Sequence, residues 1–425
     1  MSERRADSVT DKINKMINNF SSTPSKPSMF RVVDNLRRIN PEAYDPQIIA
    51  IGPFHRSKPN LQNMEQHKVR YLKQFLERRT DSTQPSVERY VTSIRQVRDE
   101  AKNCYAADIQ LDEGEFVEML ILDGCFIIEF LYMSIHRDSW NEDDHPIFQY
   151  DHIESQLLND LTVFENQIPF FIIERLFNEI EINDLDNINS LISPLLRNSI
   201  FPLQALPVVP NNAHHLLGIV HYNLSSSFEM DSGNSGEILN INSAVELKEA
   251  GISFKKSEDN SFFDIKFENK AMIIQEWEIS DSTESLFRNL IAYEYYIERR
   301  PQKNVTDYVF FMHCLVRSPE DAKLLRQYGI INHILGSDEM VYNVINKLGK
   351  YVMTSSQFSY SNIVKRVNEH CGHKRNRWLA ILRRNYFNTP WALISVIAAI
   401  ALLVLTIIQA AFAILSYRPD HKNES

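Results

Sequence analysis

The sequence predicts an α+β protein, predominantly helical: a two-lobed helical body with a small antiparallel sheet, followed by one C-terminal transmembrane helix. Three observations carry that prediction. Helical spacing of apolar residues recurs through most of 29–206, and apolar and charged residues alternate around Phe263–Glu268. The 27 residues from Trp391 to Tyr417 contain no charged side chain.

Composition bounds the function. A chain of 425 residues has room for two or three domains and a sizeable core. Its net charge of -10 argues against a nucleic-acid partner, which calls for a basic face. Glycine is scarce, 11 residues in all, against an average usage near ~7%. Neither GxGxxG nor GxxxxGK[ST] occurs, and HExxH and GxSxG are missing too. No catalytic residue, metal or cofactor is assigned, and the expectation is a binding protein rather than an enzyme. Cys104, Cys125, Cys314 and Cys371 are scattered with no CxxC pair, which fits a reducing compartment. The opening "MSERRADSVTDKINKMINNF" has no apolar h-region, so no cleavable secretion signal is expected.

Residues 1–28 are polar, end in "SSTPSKPS" and read as a flexible leader. The first lobe, 29–206, is helical. Pro41, Pro46 and Pro53 keep its first stretch out of a long helix, and Pro59 suits a first helical turn. Leu61, Met64, Lys68, Leu72, Phe75 and Leu76 then mark one helical face, joined by Tyr71. A break at "DSTQPS" precedes a helix to about Ala107, then one over 116–136, then the acidic loop "RDSWNEDDHP". Pro169 opens another apolar helix. Residues 207–237 are rich in proline, serine and glycine and read as a linker or long loop.

The second lobe, 238–360, changes character. Phe263, Ile265 and Phe267 point one way, and Asp264, Lys266 and Glu268 the other. Asn269-Lys270 turns the chain into a second, antiparallel strand. Helical patterns resume from Thr283 to about Lys350. A basic juxtamembrane segment, 361–390, a transmembrane helix, 391–417, and a short tail, 418–425, complete the chain.

The terminal apolar segment is long enough to cross a bilayer. As a helix, 27 residues span about 40 Å, and a bilayer core of about 30 Å needs ~20 residues. Its fourteen Leu, Ile, Val or Phe residues are together worth roughly -4 to -8 kcal/mol on an insertion scale. Trp391 and Tyr417 stand at the two ends, where aromatic rings prefer the headgroup level. The stretch 116–135 competes for insertion, but Glu118, Asp123 and Glu129 lie within it. Each acid near mid-span costs about +2.5 to +3.5 kcal/mol, so that helix is assigned to a soluble core.

Lys365, Arg366, Lys374, Arg375, Arg377, Arg383 and Arg384 precede the span against a lone Glu369. The positive-inside rule then places the large N-terminal part in the cytosol. The plasma membrane is preferred to the endoplasmic reticulum. Small residues stripe the span: Ser395, Ala399, Thr406, Ala410 and Ala413, with Leu402 on the same face and Gln409 beside them. Such a face lets two copies approach, so a homodimer is one expected partner state beside the lipid bilayer and an unidentified protein.

The candidate polar cluster is His55, Glu65, His67, Asp123, Glu129, Glu165 and Asn166. Histidine and carboxylate side chains can together bind metal or move protons. No pair has convincing spacing, since Glu65 and His67, two apart on a helix, diverge. Buried polar groups satisfied by caps and turns are the commoner outcome, and that reading is preferred. Asp123-Gly124 inside an apolar helix points to close packing or a kink, because glycine there costs about 1 kcal/mol relative to alanine. In "NAHHLLGIVHY", no two of His214, His215 and His221 are four apart, so a loop is preferred to a helical metal pair. Sequons occur at Asn19, Asn223 and Asn304 and matter only for a lumenal domain.

The blocks "INPEAYDPQIIAIGPFHRSKPNLQNMEQHKVRYL", "LDGCFIIEFL", "ENQIPFFIIERLF", "SAVELKEAGISFKK", "DSTESLFRNLIAYE" and "NVTDYVFFMHCLV" occur in that order. With the terminal "NRWLAILRRNYFNTPWALISVIAAIALLVLTIIQAAFAILSY", they closely resemble the land-plant domain-of-unknown-function 247 family from about Arg31 onward. The resemblance implies a single-pass membrane protein with a C-terminal anchor. For certain grass members it implies a link to pollen–stigma self-incompatibility. It carries over no reaction, cofactor or catalytic residue. Phe54-His55-Arg56 stands where the family often has Tyr-His-His, and Asn269-Lys270 where it often has Asn-Gly. Two functions follow: a membrane-tethered recognition protein with contact loops at 137–150 and 207–237, or a membrane-bound enzyme using Glu65, Asp123 and Glu165.

Overall fold

The computed structural model describes residues 8–18, 27–78, 86–137, 147–180, 187–198, 207–226, 228, 240–258, 261–296, 303–355, 357–372 and 390–416. They fall into two compact units. One comprises Met1–Ser227, Ser280–Arg300 and Lys350–Met353; the other comprises Phe228–Ile279, Pro301–Gly349 and Thr354–Ser425.

The first unit begins with α1 (Ser8–Asn18) and the single turn α2 (Asp34–Arg37). The leader therefore contains a helix where the sequence reads flexible chain. Then come α3 (Asn63–Glu77), α4 (Glu88–Asn103), α5 (Glu113–Ile135), α6 (Asp151–Asp160) and α7 (Phe170–Asn178). The short α8 (Ile188–Leu191) and α9 (Ser193–Asn198) precede α10 (Leu216–Ser225). The second unit opens with α11 (Ala244–Glu249), and α12 (Thr283–Tyr296) returns the chain to the first.

Helix α5 organises the first unit, packing against α3, α4 and α7. Asp112 and Glu115 close a capping box at its start, which satisfies two free N–H groups reciprocally. Every residue from Phe116 to Met133 except Glu118 is buried, so this apolar helix is a core element, as its three acids predict. Of the face predicted for α3, Leu61, Met64, Lys68, Tyr71 and Phe75 are buried, and Leu72 and Leu76 are half-buried at its margin. Gly124 is a close-packing point, since a Cβ there would lie 2.4 Å from Leu176 Cδ1 on α7.

Two assignments along this stretch are corrected. Residues 207–237 read as a linker, yet Leu216–Ser225 forms the helix α10, almost wholly buried. Its apolar run is too short for periodicity to separate helix from loop. Helix α12 reads as part of the second lobe but joins the first unit. There the Asn289 amide donates to the Ala43 carbonyl at 2.7 Å and accepts the Phe164 N–H at 2.8 Å. Helical spacing identifies a helix without naming the core it enters.

The second unit carries the sheet, with strands β1 (Ser253–Lys256), β2 (Ile265–Glu268) and β3 (Ala271–Ile274) in the order β1-β3-β2. The predicted hairpin is present: β2 and β3 pair antiparallel with Glu268 opposite Ala271. Asn269 and Lys270 have φ of 49° and 63°, the left-handed pair that a two-residue type I′ turn requires. Strand β1 pairs parallel with β3, so the sheet is mixed rather than antiparallel. Only Phe254 of β1 faces inward, too little alternation to mark a strand in the sequence. A separate parallel pair joins β4 (Trp277–Ile279) to β5 (Ile331–His333).

Helices α13 (Asn304–Leu315), α14 (Pro319–Gln327), α15 (Asp338–Leu348) and α16 (Ser361–Gly372) complete this unit. Its core includes Trp277, whose ring centroid lies 5.5 Å from Tyr308, and Phe262, 4.9 Å from Tyr308. Buried Asp307 accepts from the backbone and hydroxyl of both Ser355 and Ser359, fastening that segment to α13.

Pro390–Ser416 forms the final helix, α17. Within it, Ile394–Ile414 is 21 residues long and apolar enough to cross a membrane, with none of that stretch buried by protein. Ser395, Ala399, Thr406, Gln409, Ala410 and Ala413 all lie in it and are exposed. The Thr406 hydroxyl donates to the Leu402 carbonyl at 2.7 Å, so one polar group is satisfied inside the helix. Trp391 belongs to α17. Tyr417 and the basic residues Lys374, Arg375, Arg377, Arg383 and Arg384 lie outside the described residues.

Candidate functional site

The candidate polar residues resolve into separate centres, each built around a cation or a backbone segment. Between α2 and α3, residues 47–52 pass into the core outside any helix or strand, with bends at Gln47, Ile48 and Gly52. Their buried backbone groups need partners, and side chains supply them. Asp160 accepts the N–H groups of Gln47, Ile48 and Ile49 at 3.0, 2.7 and 2.9 Å. Asn166 accepts from Ile51 at 2.7 Å and donates to the Ile49 carbonyl at 3.1 Å. Asp123 accepts from Gly52 at 2.7 Å. Asn166 and Asp123 thus act as a backbone clamp.

Lys68 closes that clamp. Its ammonium lies 2.6 Å from the Asp123 carboxylate, donates to the Ala50 carbonyl at 2.6 Å and meets Glu65 at 2.7 Å. Burial pushes the Asp123 carboxyl up, while Lys68 and the Gly52 N–H pull it down. Glu65 and Asp123 therefore share one cation. His67, half-buried on the same helix, joins none of these ion pairs. Glu129 sits in a second centre, held in two-pronged fashion by Arg78 at 2.7 and 2.6 Å. The Arg78 guanidinium also lies 3.9 Å above the Tyr132 ring.

Glu165 forms the third centre, at the wall of a cleft of about 390 Å³ open to solvent. Its side chain is fully buried and receives the Val32 N–H at 2.6 Å, Arg31 at 3.0 Å and Arg37 at 2.5 Å. Arg37 also pairs with Asp45 at 3.2 Å, and Lys58 with Asp45 at 2.8 Å. His55 lines the same cleft, its Nε2 3.7 Å from Glu165, outside hydrogen-bonding distance. Burial, together with the charges of Lys58, Arg31 and Arg37, pushes its imidazole down to about 3, against the opposing pull of Asp45. His55 is therefore neutral at physiological pH.

Of the candidate residues, only His55 and Glu165 face this cleft together. Lys68, Arg31, Arg37 and Arg78, which organise the centres, are absent from the candidate set. Lys68 alone left a signal, a charge on the apolar face of α3. The histidines of "NAHHLLGIVHY" are spread by α10: His215 caps the helix through Nδ1, which accepts the Gly218 N–H at 3.2 Å. His221 pairs with buried Glu294 at 2.7 Å.

Comparison with known proteins places the chain in a family. A family model described as "Plant protein of unknown function" matches residues 29–405. The "UPF0481 protein At3g47200" of Arabidopsis thaliana is 28% identical over 424 residues, covering 93% of this chain and 87% of the relative. The "Putative UPF0481 protein At3g02645" of the same plant is 20% identical over 482 residues, covering 90% of this chain and 89% of its own length. No solved structure matches. The match spans both units and most of the terminal helix, and the chain belongs to the DUF247 family of plant proteins of unknown function.

Proposed function

We propose that this chain is a recognition protein tethered to a membrane by α17, with its large N-terminal part in the cytosol, binding another protein. The observation that carries the tether is Ile394–Ile414, 21 apolar residues with no part buried by protein. Leaving that much apolar surface in water is unfavourable at roughly 25 cal/mol per Å², whereas a bilayer core accommodates it. The basic residues ahead of the span support the cytosolic orientation. The stripe of small residues with Gln409 supports contact between two copies in the membrane. The plasma membrane is the proposed site, and the family resemblance adds cell–cell or self/non-self recognition as the setting.

Binding is preferred to catalysis because the candidate carboxylates are already engaged. Asp123 and Glu65 share Lys68, Glu165 is held by two arginines and a backbone N–H, and Glu129 is held by Arg78. A general base needs a free lone pair aimed at substrate. The proposed contact surfaces are 137–150 and the part of 207–237 outside the buried helix α10, of which 138–146, 227 and 229–237 lie outside the described residues.

The test is carbonate extraction of plant membranes carrying the full chain and a form lacking Trp391–Tyr417. The full chain is expected in the pellet and the shortened one in the supernatant. Full chain in the supernatant overturns the tether. Proximity labelling from the full chain then identifies protein neighbours, and a set no different from that of an unrelated anchored protein overturns the recognition role.

A further inference from the structure

The cleft beside Glu165 carries hydrogen-bond donors that Glu165 and Asp45 leave unused, and one lining carboxylate, Asp34, that pairs with none of the three cations among the described residues. Arg31, Arg37 and Lys58 face Asp34, Asp45 and Glu165 around it, so the formal charges balance. Their bonding does not balance. Glu165 is buried and takes three donors, and Asp45 takes two cations. Arg31 spends one terminal nitrogen on Glu165 and the other on the Phe54 carbonyl, leaving further N–H groups on a side chain that is 53% exposed. Lys58 spends one N–H of three on Asp45.

His55 supplies the independent observation. It is 2% exposed, lines the cleft, and neither ring nitrogen has a hydrogen-bond partner among the described residues. A buried imidazole left that way is unfavourable, and a ligand that takes its N–H relieves the cost. The charges acting on the ring are mainly cationic, from Lys58, Arg31 and Arg37, with Asp45 opposing.

The frame is also held in place. The Arg31 guanidinium lies 4.3 Å above the Phe54 ring, and its carbonyl accepts the Tyr296 hydroxyl at 2.8 Å. Phe30 stacks on Tyr296 with centroids 4.2 Å apart. A donor set fixed before binding loses little conformational entropy on taking a ligand.

We infer that this cleft is a binding site for a small oxyanion, a phosphate or carboxylate group, received by Arg31, Lys58 and the His55 N–H. Charge-assisted bonds from the two cations supply the affinity, and the neutral imidazole fixes orientation. The oxyanion arrives either on a soluble molecule or on a lipid headgroup.

The test uses the full chain in neutral detergent with isotope-labelled histidine, the His55 resonance being identified by its loss in His55→Asn. Inorganic phosphate is titrated at fixed pH and ionic strength, with chloride as the matched control. The expected result is a saturable shift of the His55 ring signal, weakened about tenfold or more in Lys58→Gln and in Arg31→Gln. Both variants leave Glu165 and Asp45 paired with Arg37, and Lys58 is half-buried, so the thermal melt of each variant is compared with wild type before titration. A shift given only by phosphatidic acid in the micelle assigns the oxyanion to a lipid. An unmoved ring with both probes overturns the site, as does an equal shift with chloride or an undiminished one in the two charge variants.

Discussion

The Lys68 ammonium lies 2.6 Å from the Asp123 carboxylate, and both side chains are buried. The pair joins α3 to α5 and, through Ala50 and Gly52, fixes the 47–52 segment that precedes α3. Removing one partner leaves the other as an uncompensated buried charge, a loss of about 3–5 kcal/mol. Lys68→Met is therefore expected to lower the urea-extrapolated unfolding free energy of the full chain in neutral detergent by that order, with a lower midpoint. Adding Asp123→Asn removes the stranded charge and keeps an acceptor for the Gly52 N–H, so part of the loss returns. A Lys68→Met midpoint within error of wild type removes the pair from the account of the core.

Gly52 and Gly251 make a controlled comparison. Both have positive φ, 75° and 89°, where a side chain costs about 1–2 kcal/mol. At Gly52 a Cβ would also lie 2.3 Å from the Gln167 carbonyl oxygen, a backbone atom that cannot swing aside. At Gly251 nothing lies within 4 Å. Gly251→Ala is expected to cost only the conformational term, and Gly52→Ala that term plus overpacking of about 1–3 kcal/mol. Thermal melts of the two variants decide it, and equal losses contradict the close approach at Gly52.

Much of this organisation was legible in the sequence, and what was not has definite causes. Pro59, Pro169 and the alternation around Asn269-Lys270 marked local structure because proline geometry and strand period act within a few residues. The charge of Lys68 on an apolar face was visible too. Its partner was not, because Asp123 lies on another helix and contact across that distance leaves no local pattern. For the same reason the arginines that hold Glu165 and Glu129 looked like ordinary surface charge. Helix α10 reads equally as loop or helix because its apolar run, 216–220, is short, broken by Gly218 and follows Pro207 and Pro210 closely. Strand β1, with one inward side chain, carried no period at all.

Two buried histidines, His55 and His215, weaken the fold as pH drops. His215 is pushed down to about 3 by burial, with a smaller contribution from His214, and His55 also lies at about 3. Unfolded histidine takes up a proton near 6.5, so between about 6.5 and about 3 the unfolded chain holds more protons. Stability is fully present above 6.5 and falls as pH drops, by about 1.4 kcal/mol per pH unit for each ring. His215→Asn preserves a side-chain cap for the Gly218 N–H and removes one titrating ring. Unfolding midpoints across pH 4 to 7 (a range of about 3 units) are expected to be flatter in that variant, and parallel curves remove His215 as a contributor.

The sequon at Asn223 is expected to stay unmodified on either side of a membrane. Its amide nitrogen donates to the Val208 and Ile219 carbonyls at 2.8 and 2.9 Å, and its oxygen accepts the Val208 N–H at 2.9 Å. The residue is 7% exposed within α10, so no glycosyl carrier reaches it once the unit has folded. Lack of glycan at Asn223 consequently says nothing about topology, whatever the basic residues before the span imply. An added Asn-X-Ser in an exposed loop separates the two questions. Endoglycosidase treatment is expected to leave both the native chain and the added-sequon form unshifted, because the body is proposed to be cytosolic. A shift in either form reverses the proposed orientation, and a shift in the native chain that Asn223→Gln abolishes contradicts the buried amide, since Asn19 and Asn304 are sequons too.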